Sequence, residues 1–100
     1  MTAAVFEWDD RKDKKNLRKH GVSFAVAQAA FLDPRRVIAR DLKHSRSEER
    51  FYCMGEVDDG ILTVRFTHRG AAIRIIGAGY WRKGKVTYEK ENRSKDPLHR

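Results

Sequence analysis

Alternating hydrophobic and polar positions dominate the middle of the chain. In Ile61–Arg69, Leu62, Val64 and Phe66 fall on one face of an extended strand, and Thr63, Arg65 and Thr67 on the other. After Gly70 the run Ala71–Gly79 alternates again, with Ile73 and Ile75 facing opposite to Arg74 and Ile76. The spacing around Arg69-Gly70 suits a tight antiparallel turn, and Asp59-Gly60 marks another ahead of Ile61. Arg50–Val57 and Arg36–Leu42 read as two further strands, separated by the polar loop Asp41–Glu49. Toward the N-terminus, Ala3–Trp8 forms a short strand, and Asp9 or Asp10 caps a helix over about residues 10–20 that Gly21 stops. That helix is mostly polar, with Leu17 its one strong apolar residue. Ser23 caps a second helix, in which Phe24, Ala27 and Phe31 make a buried stripe up to Asp33-Pro34. A last helix covers about Lys83–Asn92, with Gly84 as its weak point. The predicted order is β-α-α-β-β-β-β-α, an α+β single domain over residues 1–93 with a flexible basic tail over 94–100. Consecutive strands with tight turns imply a mostly antiparallel sheet, with the helices packed on one face.

Composition adds a partner class. The 100 residues suit one modest core, and 22 Lys and Arg against 14 Asp and Glu give a net charge of +8. That balance favours a polyanion or an acidic protein. No apolar run is long enough for a membrane span, and charges from Glu7 onward leave no signal-peptide core, so a cytoplasmic protein without membrane contact is expected. The single cysteine, Cys53, excludes an internal disulfide and reads as a small buried side chain. His20, His44, His68 and His99 are too scattered for metal-ligand spacing, so neither a metal nor a cofactor is expected.

A set of short motifs resembles the BrnT-type toxins. They are Phe6-Glu-Trp-Asp, Lys19-His-Gly-Val-Ser-Phe, Phe31-Leu-Asp-Pro, Asp41-Leu-Lys-His-Ser-Arg-Ser-Glu-Glu-Arg50, Gly55-Glu, Arg74-Ile-Ile-Gly-Ala and Tyr88-Glu. Their order and spacing carry the likeness from about Phe6 to Asn92. The resemblance implies a RelE-like fold, a ribonuclease that arrests translation, and a BrnA-like antitoxin partner. Operator DNA would be met only through that antitoxin's ribbon-helix-helix region.

Metal-free RNA cleavage needs a base for the 2′-hydroxyl, a cation for the phosphorane and an acid for the leaving oxygen. Lys19, His20 and His44 are the proton-transfer candidates. Arg65, Arg69 and Arg74 are candidate phosphate clamps, since the guanidinium fork matches two oxygens. Lys14, Lys15 and Arg18 make the first helix a candidate backbone track, and Tyr80 and Trp81 candidate base platforms. Each has a structural alternative. His20 also suits a helix end, His44 can bridge acids of its loop, Arg74 can pair across the sheet, and Trp81 can belong to a core. Many BrnT relatives read Ser-Ala-Arg after the Arg-Ile-Ile run, and that arginine is a candidate catalytic group. Here Gly79 stands in its place, and Arg82 and Lys83 are the cations that follow. Three classes remain: ribonuclease toxin, non-catalytic antitoxin-binding member shaping operon repression, and small basic RNA-binding module.

Overall fold

A computed structural model describes residues 4–95. Ala3, expected in the first strand, and residues 96–100 of the expected tail lie outside the described residues. The strands are β1 (Val5–Glu7), β2 (Val37–Arg40), β3 (Arg50–Val57), β4 (Gly60–Arg69) and β5 (Ala72–Gly79). The helices are α1 (Asp10–His20), α2 (Phe24–Ala27), which runs on into a 3-10 turn over Gln28–Leu32, and α3 (Arg82–Lys95). The five strands form one sheet in the order β1-β5-β4-β3-β2. All pairings are antiparallel except β1 with β5, which is parallel, as expected of a strand that reaches its partner only after the long excursion through the helices. The α+β single-domain expectation and the element order hold.

The expected placement of all helices on one face needs correction. α2 and its 3-10 extension cover the face built by Cys53, Val57, Leu62, Val64, Phe66, Ile75 and Ala78, with Phe24, Ala27 and Ala30 from the helical side. α3 lies on the opposite face, where Tyr88 packs with Val37 and Met54. Alternation forces this outcome. β3 and β4 are long and carry apolar groups on both faces, so two layers are needed to keep both dry. The close approach of α3 requires Gly84, because a Cβ there would collide with the Thr63 side chain. On the other face, a Cβ at Gly55 would collide with the Ala30 carbonyl.

A bulge shapes the central pairing. Arg65 pairs with Gly77, but Phe66 pairs with Ile75, leaving Ile76 unopposed. Ile75 and Ala78, three apart, therefore both reach the core, which an unbroken strand forbids. The two hairpin loops are tight, and Arg69 pairs with Ala72 around Gly70 at φ 59°. The Asp59-Gly60 signal is displaced by one residue. Val57 pairs with Gly60, and the loop is Asp58-Asp59, both at positive φ of 51° and 65°.

Two polar side chains fasten the helices. In α1 the buried residue is Asn16, whereas Leu17 is 51% exposed. The Asn16 amide donates to the carbonyls of Ala78 and Val22, and its oxygen accepts from the Ala78 N–H, so one side chain satisfies the β5 edge where β1 has ended. At the other end, Asp33 accepts from the Tyr88 hydroxyl at 2.6 Å and from the backbone N–H groups of Glu56 and Arg35. Burial opposes the Asp33 charge, yet these hydrogen bonds win and hold its carboxyl below the usual range. The same pairing, after burial, pushes the Tyr88 phenol up to about 12. The expected second helix is mostly a 3-10 turn, because the chain must tighten before Asp33-Pro34 turns it into β2. α3 continues to Lys95, two residues into the stretch assigned to the tail.

Candidate functional site

Because α3 covers only part of its face, the sheet beside its first turn remains open. The register aligns Ala39, Tyr52, Arg65 and Gly77 in one row across β2, β3, β4 and β5. The neighbouring row, Val37, Met54, Thr63 and Gly79, runs beneath the start of α3. Between them lies a cavity of about 440 Å³, lined by Ala39, Arg40, Tyr52, Met54, Thr63, Trp81, Lys83, Gly84 and Thr87. Its size suits a nucleotide-sized ligand. The cavity combines an apolar floor, two aromatic walls and cations at its rim, and the first turn of α3 brings its unpaired N–H groups to the same edge.

Gly79 explains where Trp81 sits. A Cβ at residue 79 would come within 2.6 Å of the indole ring, so the ring occupies the space a larger residue would take. His20, at the C-terminal end of α1, meets that indole edge to face at 5.2 Å between ring centroids. Arg65 stands beside Tyr52, and its Nε is buried without a hydrogen-bond partner among the described residues, as is the Thr63 hydroxyl. Both groups lie in or beside the cavity, where a water or a polar ligand can meet them.

The opposite margin belongs to Asp41. Its side chain is 4% exposed, and its Oδ2 lies 2.8 Å from the Nδ1 of His44. Burial disfavours the Asp41 charge, but hydrogen bonding from His44 and Tyr52 holds the carboxyl below the ordinary range. Tyr52 responds in the other direction: burial first, then the Asp41 charge, raise its phenol. With Nδ1 directed to Asp41, the His44 ring has its Nε2 left for another partner.

The structure thus places Trp81 and Lys83 in the cavity wall, His20 against Trp81 and Arg65 beside Tyr52, with His44 joined to the cavity through Asp41 and Tyr52. Arg69 is placed elsewhere, against Glu48 at 3.7 Å on the β4–β5 hairpin. Arg74 is tied to Glu7 of β1 at 2.8 Å, an ion pair across the parallel edge. Lys14, Lys15, Arg18 and Lys19 are exposed on α1, and Arg82 is exposed at the start of α3. Tyr80 packs against Gly60 and donates to the Val57 carbonyl, away from the cavity. Sequence reasoning missed Tyr52, Arg40 and Thr63 as cavity residues. The signal was available for Tyr52, which alternates with the buried Cys53 and so must face the other layer. Cys53 itself is fully buried, and burial pushes its thiol up to about 12, so it is an inert core group.

Among the described residues no helix is long and apolar enough to cross a membrane. No individual curated protein matches the chain. The family model of BrnT, the ribonuclease toxin of type II toxin–antitoxin systems, matches residues 8–84. That span takes in α1, α2, the whole sheet from β2 onward and the first turn of α3, and so every residue lining the cavity except Thr87. With more than half of its length matched, the chain belongs to the BrnT family of ribonuclease toxins.

Proposed function

We propose that the protein cleaves RNA in the cavity beside α3, by metal-independent attack of a 2′-hydroxyl on the adjacent phosphate. The carrying observation is the placement of Trp81, Tyr52 and Lys83 in the wall of one cavity, with Arg65 beside Tyr52 in the same row of the sheet and a carboxylate-backed histidine at its margin. Trp81 and Tyr52 offer flat surfaces for an unpaired base. Lys83, the N–H groups of the first turn of α3 and the Arg65 guanidinium hold the phosphate and stabilise the charge that grows on the phosphorane. His44, oriented by Asp41, takes the 2′-hydroxyl proton. His20, across the sheet on the β5 side, returns a proton to the leaving 5′-oxygen. Because the Trp81 ring fills the space over Gly79, the phosphate charge falls to Arg65 and Lys83 rather than to a side chain at 79.

In this reading the protein works in the cytoplasm. It is neutralised by a BrnA-like antitoxin, and it reaches operator DNA only through that partner. The test is single-turnover cleavage of an unstructured RNA in EDTA. Arg65→Ala or Lys83→Ala should each slow cleavage about 10²–10³-fold. His44→Ala should slow it about 10²–10⁴-fold. Cleavage abolished by EDTA overturns the metal-free chemistry, and a parent protein that cleaves nothing overturns the proposal.

A further inference from the structure

α1 carries two rows of cations, and its fixing in the fold sets them apart. Residues advance about 100° per position around a helix. Asn16 marks the direction of the sheet edge, through its bonds to Ala78. Asp13, about 60° to one side, accepts the Phe24 N–H and so marks the side of α2 and the first core layer. Lys12, Lys15 and Lys19 fall roughly 40°, 100° and 60° to the other side. That side overlooks the open sheet face that holds the cavity. Arg11, Lys14 and Arg18 fall within about 40° of the direction opposite Asn16, and therefore look away from the sheet.

Contacts at two points along α1 bring its Asn16 side to the open face. At its middle, a Cβ on Gly77 would lie 3.9 Å from both the Arg65 Cδ and the Asn16 Oδ1, so Arg65 reaches over a strand position without a side chain to the foot of the helix. At its end, His20, about 40° from Asn16 on the Asp13 side, touches Trp81 of the cavity wall. On this wheel the lysine row runs for about 10 Å along the flank of α1 turned away from α2, with no acidic residue among its members.

We infer that Lys12, Lys15 and Lys19 form a rail for the phosphates of single-stranded RNA, carrying the strand along α1 to Arg65 and the cavity. The rail rests on the cavity being the RNA site, and it extends that site beyond the scissile phosphate. Charge complementarity selects the occupant: three exposed ammonium groups on one flank, continuous with Arg65 and Lys83, fit a flexible polyanion whose phosphates repeat along the strand.

The experiment compares two triple variants of equal charge, Lys12/Lys15/Lys19→Ala and Arg11/Lys14/Arg18→Ala. The probe is a 2′-O-methyl RNA of unstructured sequence, which cannot be cleaved by 2′-hydroxyl attack. Affinity is measured by fluorescence anisotropy over a salt series, with helicity checked by circular dichroism. Each phosphate neutralised on a single strand contributes a log–log slope of about −0.7, so the rail variant should flatten the slope by about 2. The outward variant should flatten it by less than half of that. Equal flattening by the two, a larger effect of the outward variant, or no RNA binding by the parent overturns the rail. The slopes require no catalysis, so a parent that binds RNA along this flank yet cleaves none would sink the nuclease mechanism and leave the rail standing.

Discussion

Asn16 offers the sharpest test of how α1 is held. Its side chain makes three hydrogen bonds, to the Ala78 N–H, the Ala78 carbonyl and the Val22 carbonyl. The residue is 8% exposed, so water does not readily replace them. At about 1 kcal/mol net for each bond, Asn16→Ala should cost about 3 kcal/mol. For a domain of this size 1 kcal/mol corresponds to about 4–8 °C, which places the expected fall in Tm at roughly 12–24 °C. Urea unfolding followed by circular dichroism measures the loss directly, with an unchanged m-value showing that the unfolded reference is the same. Asn16→Asp supplies a second reading. It keeps an acceptor for the Ala78 N–H but sets a carboxylate against two carbonyls, so at neutral pH it should be at least as damaging as Ala. It should recover part of the loss as the pH falls and the carboxyl protonates. An Asn16→Ala loss below about 1 kcal/mol would show that the strand edge finds other partners, and would refute the anchoring role.

The Asp33–Tyr88 pair sets a pH dependence at both ends of the range. The Asp33 carboxyl titrates below its ordinary value of 3.8 in the folded protein, so its contribution is present at neutral pH and is lost as the pH falls through the folded value. The Tyr88 phenol is raised from 10.0 to about 12, so its contribution is intact below pH 10 and is lost between there and about 12. Tyr88→Phe should cost about 1.5–3 kcal/mol near neutrality and remove the alkaline part of the dependence in urea titrations; an unaltered alkaline limb contradicts the assignment. Asp59→Gly should raise stability by about 0.5–1 kcal/mol, since a left-handed conformation costs a residue with a Cβ about 1–2 kcal/mol and Gly gives some of this back in the unfolded chain. A destabilised Asp59→Gly protein would contradict that reading of the turn.

What the sequence made legible was what neighbours decide. The β3–β4 and β4–β5 hairpins join segments adjacent in the chain, so alternation and two turns were enough to place them. The α1 caps were legible for the same reason: Asp9 accepts from the N–H groups of Arg11 and Lys12, within a few residues. The layering of α3 was not legible, because Thr63 reads as a polar-face residue until Gly84 is seen above it. The function of Asn16 was hidden too, since an apolar pattern draws attention to Leu17 and a strand edge 62 residues away has no local signature. At the site, Trp81, Lys83, Arg65 and both histidines could be picked by residue type. The Asp41–Tyr52 connection that joins His44 to them needed the β2–β3 register. Arg69 and Arg74 carried the same signal as Arg65, and only their acidic neighbours Glu48 and Glu7 separate them from it.

The cavity draws its walls from distant parts of the chain, and this has a kinetic consequence during synthesis. Ala39, Arg40, Tyr52, Met54 and Thr63 belong to β2, β3 and β4, which pair antiparallel and precede α3 in the chain. Trp81, Lys83, Gly84 and Thr87 arrive with α3, the last described element to be made. At about 5–20 residues per second, the strands have a second or more in which to pair before the closing helix docks. During that interval the nascent chain has a sheet without a finished pocket.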